Sequence, residues 1–169
     1  MTPPVPPPLN AVLLAHRQFP GDFCSVSALE FVSKLYGLTP VDHFPLQSNK
    51  QNTNKGFVEP ALQTLVGLEG EAQFYDTRSA LALIETETSM GRFPIVSLFG
   101  LITYDGKTLF PAGYHIFVAA RHGTQSILID PGLKRAFATT TEDVAKALEW
   151  NSRHNPERTT INILCLAPK

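Results

Sequence analysis

The fold is decided by the helix predicted for CSVSALEFVSKLYG, residues 24–37. Apolar side chains recur there with the spacing that places them on one helical face. These positions are Val26, Leu29, Phe31, Val32 and Leu35. Gly37 stands where a helix would end, because glycine readily adopts the left-handed backbone that closes a last turn. The sequence therefore predicts a helix that carries Cys24 in its first turn.

Downstream of this helix, the period of the apolar residues changes from helical to strand-like. Helices are predicted at 58–66, at 77–88 with a start at Asp76 or Thr77, and from Thr141 to about Trp150. Strands are predicted at 93–99, 114–119, 125–130 and 160–166. The predicted helices come first and are followed mostly by strands joined by short turns. This order indicates an α+β fold in which helices pack on an antiparallel sheet.

The chain has the length and composition of one globular domain. Its 169 residues are 43% hydrophobic and 17% charged, which is enough apolar material for a core. Residues 10–169 are assigned to this domain, and the proline-rich residues 1–9 are predicted to be a flexible tail. A polyproline ligand for a partner is the alternative for the tail. Residues 40–57 are polar and irregular, which predicts a long surface loop.

Charge and hydropathy limit the classes of partner. Fourteen Lys and Arg nearly balance fifteen Asp and Glu, for a formal charge of −1. This gives no electrostatic reason to expect nucleic acid or an anionic membrane as partner. No apolar run approaches the roughly 20 residues that span a bilayer, and residues 1–8 lack the pattern of a secretory signal. The chain is expected to be cytoplasmic as synthesised, or to be exported without a cleavable signal.

The two cysteines differ in their sequence surroundings. Cys24 falls at a predicted helix start, where unpaired N–H groups and the helix dipole lower a thiol pKa and favour the thiolate that attacks carbonyl carbon. Packing of a buried sulfur is the alternative and the commoner role for a cysteine taken alone. Cys165 lies in an apolar strand and is predicted to be a core residue. Two cysteines do not make a disulfide framework.

His115 is the candidate base, since it begins an apolar strand after PAGY, residues 111–114. An imidazole at the edge of a sheet is partly desolvated yet reachable, and its ordinary pKa suits proton transfer near neutral pH. A hydrogen-bonded core histidine is the alternative. The remaining histidines are His16, His43, His122 and His154. They share no metal-ligand spacing with one another or with a cysteine, so no zinc site is expected.

Asp130 ends the next predicted strand, just before Pro131. A short turn at 121–124 joins the two strands into a hairpin, which places the start of the first strand beside the end of the second. His115 and Asp130 are therefore expected to be neighbours, with the carboxylate orienting the imidazole. The alternative is an aspartate that opens a turn before proline.

Gln18 lies six positions before Cys24, on a loop with Pro20 and Gly21. Its side-chain amide, together with the backbone N–H of Cys24, could stabilise an oxyanion that develops on an attacked carbonyl. A solvated loop glutamine is the alternative. Each of the four candidates is weak evidence alone, but their order along the chain and the elements that carry them together indicate a cysteine hydrolase.

The stretch from Gln18 to Gly37, a glutamine, a loop and a cysteine that opens a helix, resembles papain-like enzymes. It is most similar to the C39-like peptidases, the bacteriocin-processing type. GRFPIV at 91–96 is similar to that family's entry into the sheet, and residues 113–131 resemble its His strand, hairpin turn and Asp-Pro. The resemblance covers roughly residues 15–135. It implies a papain-like fold, hydrolysis of an amide through a thioester acyl-enzyme, and no cofactor.

Carried over position by position, the resemblance implies Cys24 as nucleophile, His115 as base, Asp130 as orienting acid and Gln18 as oxyanion-hole donor. The chain departs from the family at Ser25 and Val26, where a small residue and proline are usual. It departs again at Tyr114, which lies between the glycine and the histidine of the His strand. The catalytic set is intact despite these changes.

The implied substrate is a peptide or protein, and other functions fit the same residues. A cell-wall amidase of the NlpC/P60 type shares the Cys–His layout, would cleave peptidoglycan peptide and can serve as an effector toxin. Transglutaminase-like acyl transfer uses the same residue types but usually a shorter Cys-to-His separation. The non-enzyme alternative is a papain-like domain that only binds peptide, and the four intact positions disfavour it.

Overall fold

The computed structural model describes residues 7–18, 24–40, 67–99, 103–104, 107–108, 114–132, 134–154 and 160–169. The predicted tail before residue 7, most of the predicted loop at 40–57 and the predicted helix at 58–66 lie outside these residues. Among the helices that are described, none combines the length and the apolar character needed to cross a membrane.

The described residues form four helices, α1 Pro7–Ala15, α2 Cys24–Leu35, α3 Thr77–Ser89 and α4 Thr141–His154. α2 confirms the helix predicted to start at Cys24. α3 follows Asp76, whose carboxylate accepts a hydrogen bond from the N–H of Ser79 at 2.7 Å. α1 corrects the predicted tail, because Pro7 and Pro8 belong to the helix. Proline fits there because the backbone N–H groups of the first helical turn have no carbonyl partner within the helix, so the N–H that proline lacks is not needed.

The end of α2 matches its prediction from the sequence. Gly37 has a φ of 73°, and the N–H of Leu38 donates to the carbonyl of Ser33 at 2.9 Å, which closes the last turn. The hydroxyl of Tyr36 donates to the carbonyl of Leu166 at 3.0 Å. This bond ties the end of α2 to the sheet.

The strands are β1 Leu68–Tyr75, β2 Ile95–Phe99, β3 Thr103–Tyr104, β4 Lys107–Thr108, β5 Tyr114–His122, β6 Gln125–Asp130, β7 Arg135–Thr139 and β8 Ile161–Pro168. Six of them form an antiparallel sheet in the order β1-β8-β2-β5-β6-β7, and β3 pairs with β4. The four predicted strands are confirmed as β2, β5, β6 and β8. The sequence does not predict β1 and β7, which are the edge strands. In β1 only Leu68 is fully buried, so the strand lacks the alternation that marks a half-buried one.

Helices cover both faces of the six-stranded sheet. α1 and α2 pack on the face that carries Ile116, Val118 and Ile129. α3 and α4 pack on the opposite face, which carries Phe117 and Leu128. Successive side chains of β5 and β6 point to opposite faces, so each strand contributes to both cores.

The open end of the β5–β6 hairpin lies at the start of α2. Gly123, with a φ of 59°, and Thr124 make the turn at the other end. The beginning of β5 and the end of β6 therefore lie side by side where α2 begins. The predicted fold class, an α+β fold with the helix of Cys24 packed on an antiparallel sheet that carries His115 and Asp130, is confirmed.

Candidate active site

Cys24 opens α2, and its sulfur meets backbone N–H groups from two elements. The backbone N–H of Ile116 in β5 and those of Ser25 and Cys24 at the helix start are near enough to lower the pKa of this thiol. The side chain is partly buried and packs against the core between α2 and the sheet. Donors that converge on one atom stabilise negative charge there, so this sulfur lies where an anion would be held.

Burial nevertheless raises the pKa of the Cys24 thiol to about 11. The N–H of Ile116 lowers this pKa in part, the negative charge of Asp130 raises it, and the N–H groups at the helix start lower it. The prediction of a lowered pKa for the Cys24 thiol, which is based on the helix start alone, is therefore wrong. Loss of solvent outweighs the backbone donors, because burial disfavours the charged form of a thiol.

Asp130, the last residue of β6, is 1% exposed, and its charge acts on the sulfur of Cys24. A Cβ added at Gly132, two residues further on, would lie 3.6 Å from Oδ1 of Asp130 and 3.4 Å from Oγ of Ser27. Ser27 lies on α2, almost one turn after Cys24. The structure thus brings Asp130 and the first turn of α2 together.

His115 is the second residue of β5, and its backbone pairs with Leu98 of β2. The next residue, Ile116, donates its N–H to the sulfur of Cys24. The backbone of His115 is therefore one residue from the contact between β5 and the sulfur. Its imidazole lies outside the described part of the chain, so the role of base stays a prediction.

Gln18 is exposed and follows a residue that is anchored to α2. The Nε of Arg17 donates to Oε2 of Glu30 at 3.1 Å, and Nη2 donates to Oε1. The side chain of Glu30 is only 4% exposed, so this ion pair holds the segment before Gln18 against the helix. The connection from Gln18 to Cys24 lies outside the described residues, and the oxyanion role of Gln18 stays a prediction.

His16 is a buried residue that the sequence did not single out beyond excluding it from a zinc site. It is 0% exposed, and its Nε2 lies 3.0 Å from Oγ of Ser27. The pKa of His16 is lowered to about 4, chiefly by burial and also by the charges of Lys34, Arg17 and Lys134. Its place at the end of a short apolar stretch is the one signal of burial that the sequence offers.

Cys165 lies in β8 and packs against the core beneath α3 and α4. Burial raises the pKa of its thiol to about 11, Glu87 adds to the rise and Arg92 opposes it. The predicted core location is confirmed in part, since the side chain contacts the core yet remains partly exposed. Neither cysteine is in a disulfide. Among the residues that the structure describes, no three His, Cys, Asp or Glu side chains are grouped to hold a metal ion.

Comparison with known proteins gives a structural likeness but no family match. No family model and no curated protein sequence matches the chain. Among solved structures, the chain is similar to the crystal structure of the Pseudomonas avirulence protein AvrPphB. The TM-score is 0.39 at 11% sequence identity, and the match covers 92% of this chain and 99% of the other.

Proposed function

We propose that this protein is a papain-like cysteine hydrolase of the C39-like type, which cleaves a peptide bond with Cys24 as nucleophile, His115 as base, Asp130 as orienting carboxylate and Gln18 as oxyanion donor. The observation that carries the proposal is the place of Cys24 at the start of α2, where the backbone N–H groups of Ile116, Ser25 and Cys24 lower the pKa of its thiol against the effect of burial. They favour negative charge on the sulfur. The buried carboxylate of Asp130 on the adjoining strand end supports the same assignment.

The first half of the proposed reaction forms a thioester. A thiol with a pKa of about 11 is protonated at neutral pH, so a base has to accept its proton as the sulfur attacks. His115 accepts it, a bond forms between sulfur and carbonyl carbon, and the carbonyl oxygen becomes an oxyanion. The N–H of Cys24 and the amide of Gln18 donate to this oxygen, and Asp130 stabilises the imidazolium.

The second half releases the products. The C–N bond breaks as His115 returns the proton to the leaving amine, and the acyl group stays on Cys24 as a thioester. Water then attacks the thioester carbonyl and gives its proton to His115. The C–S bond breaks, the carboxylic acid departs, and the proton returns to the sulfur. This sequence of steps uses no cofactor.

Hydrolysis by a matched pair of cysteine variants tests the proposal. Fluorescein-labelled casein and purified peptidoglycan are incubated side by side with the wild type, Cys24→Ala and Cys165→Ala, and released fragments are measured. Cys24→Ala is expected to lower turnover by at least about 10⁴-fold, because no second nucleophile replaces the sulfur. Cys165→Ala is expected to stay within about threefold of the wild type, since its sulfur touches no reacting group.

The choice of substrate separates the competing functions. Cleavage of casein supports a peptidase, and cleavage of peptidoglycan alone supports the cell-wall amidase. Cleavage that survives Cys24→Ala would contradict the nucleophile. Absence of cleavage, together with peptide binding that is the same in the wild type and in Cys24→Ala, would instead indicate the non-catalytic peptide-binding domain.

A further inference from the structure

His16 is held by α2 on three sides of its ring. Its Nε2 lies 3.0 Å from Oγ of Ser27, and its Nδ1 lies 3.2 Å from Nζ of Lys34. The ring packs edge-on against Phe31, with centroids 5.5 Å apart and an interplanar angle of 76°. His16 and Ser27 are both 0% exposed. Because the imidazole is fully buried and has a partner at each nitrogen, its orientation against α2 is fixed.

The partners of the ring decide which nitrogen carries the proton. The ammonium of Lys34 can only donate, so Nδ1 of His16 accepts. In a neutral imidazole the other nitrogen then bears the hydrogen, and Nε2 donates to Oγ of Ser27. The cations that face the ring are Lys34 of α2, the adjacent Arg17 and Lys134 of the turn after β6, and with burial they keep the ring neutral at pH 7.

Ser27 and the end of α1 connect the two parts of the candidate site, which are the start of α2 with Cys24 and the end of β6 with Asp130. Ser27 lies three residues after Cys24, and its hydroxyl faces Gly132, which also faces the carboxylate of Asp130. Lys134, in the same turn as Gly132, donates from Nζ to the carbonyl of Leu14 at 2.9 Å. The end of α1 is therefore attached at one point to the helix of Cys24 and at another to the turn that follows Asp130.

We propose that His16 is a positioning residue, which acts through Ser27 to fix the first turn of α2 against the turn at 131–134 and so sets the spacing between Cys24 and Asp130. This inference rests on the proposed function for its effect on catalysis. His16 is assigned a positioning role and not a catalytic one, because Ser27 and Lys34 of α2 engage its two ring nitrogens. Misplacement of a reacting group by about 1 Å costs up to about a hundredfold in rate, so the contact has kinetic consequences.

The activity test compares two replacements of His16 on labelled casein. His16→Phe keeps a ring against Phe31 but loses both hydrogen bonds, and it is expected to lower kcat about tenfold with KM unchanged. His16→Gln retains a donor for Ser27 and an acceptor for Lys34, and its kcat is expected to lie within about threefold of the wild type. His122→Gln, at an exposed histidine of the β5–β6 hairpin, is the matched control and should leave kcat unchanged.

A second readout needs no substrate, so it also applies if neither casein nor peptidoglycan is cleaved and the proposed function fails. Iodoacetamide modifies both cysteines, and Cys165 serves as the reference within each molecule. Burial and the charge of Asp130 both raise the pKa of Cys24. Release of the contact in His16→Phe is therefore expected to speed alkylation of Cys24 at pH 8 about threefold relative to Cys165. His16→Gln should not change this ratio.

Three outcomes would overturn the positioning role. They are an unchanged Cys24 rate in His16→Phe, an equal rise at both cysteines, which indicates general loosening, and a failure of His16→Gln to restore the wild-type ratio. Ser27→Ala removes only the hydroxyl that accepts the hydrogen bond from His16, and the side chain it changes is small. This variant replaces His16→Phe in both tests if His16→Phe does not fold. It should reproduce the changes expected for His16→Phe, and wild-type behaviour of a folded Ser27→Ala would count against the proposal.

Discussion

The two cysteines of this chain share a thiol pKa of about 11, raised in both by burial, yet their surroundings differ. Cys24 opens a helix and receives backbone N–H groups, including that of Ile116 from β5. Cys165 lies within β8, where the charged side chains of Glu87 and Arg92 act on it from α3 and from the residues just beyond that helix. One sulfur faces fixed backbone donors, and the other faces two side-chain charges of opposite sign.

On the proposed assignment of Cys24, the resting pKa does not distinguish the nucleophile from the other thiol. The pKa reports how hard it is to remove the proton from the unreacted site, and burial dominates that cost at both cysteines. Catalysis depends on what holds the charge once the proton has moved, and among the described residues backbone N–H groups lower the pKa of Cys24 but not that of Cys165. The rate of alkylation should therefore differ between the two thiols, although their pKa values are the same.

Removal of the proposed base is expected to have the largest effect. His115→Ala should lower kcat on labelled casein about as much as Cys24→Ala, because the thiol loses its proton acceptor. Asp130→Asn is expected to retain roughly a hundredfold more activity than His115→Ala, since the carboxylate orients the imidazole and takes no proton. Circular dichroism checks that each variant folds. Complete loss of soluble protein in both variants would assign structural roles to the pair.

Alkylation compares the two sulfurs directly and gives an effect of intermediate size. A thiol of pKa about 11 is ionised to about one part in 10⁴ at pH 7, and this fraction grows as pH rises. Equal rates for Cys24 and Cys165 would follow from pKa alone. With a base beside Cys24, iodoacetamide is expected to modify it at least about tenfold faster than Cys165 at pH 7, as measured by mass spectrometry of the modified peptides.

The same alkylation in His115→Ala sharpens the comparison. This variant should bring the rate of Cys24 down to that of Cys165 at pH 7. Both rates should then rise about tenfold per pH unit and level off near pH 11. Equal rates in the wild type would break the distinction between the two cysteines, and with it the assignment of Cys24 as nucleophile.

The smallest expected effect is on stability. Cys24→Ala and Cys165→Ala should each lower the free energy of unfolding by about 1 kcal/mol, because each removes one partly buried sulfur. Urea unfolding followed by the fluorescence of Trp150 measures both. A loss of several kcal/mol from Cys24→Ala alone would make Cys24 a packing residue.

Local signals explain the parts of this molecule that its sequence predicts. The start and end of α2 follow from apolar spacing and from Gly37, which are read within one segment. The β5–β6 hairpin likewise follows from two apolar runs around a short turn. The resemblance implies that Cys24 and Asp130 share one site, and Asp130 lies near enough to Cys24 for its charge to raise the pKa of the thiol.

Tertiary surroundings explain what the sequence does not predict. The edge strands β1 and β7 gain their extended form by pairing with β8 and β6, and β1 has no strong alternation of its own. The burial of His16 depends on the approach of α1 to α2, and the raised pKa of Cys24 depends on how much solvent the folded chain removes. None of these properties is encoded by neighbours in sequence.

The two-residue turn at Gly123 and Thr124 has a consequence for the newly made chain. It lets Ile116 and Asp130 come together within a local hairpin, which forms quickly because little chain entropy is lost. Cys24 emerges roughly 90 positions earlier and joins them only when α2 docks on the finished sheet. The sheet on which α2 packs includes β8, so a growing polypeptide offers this helix its whole docking surface only after residue 168 has been added.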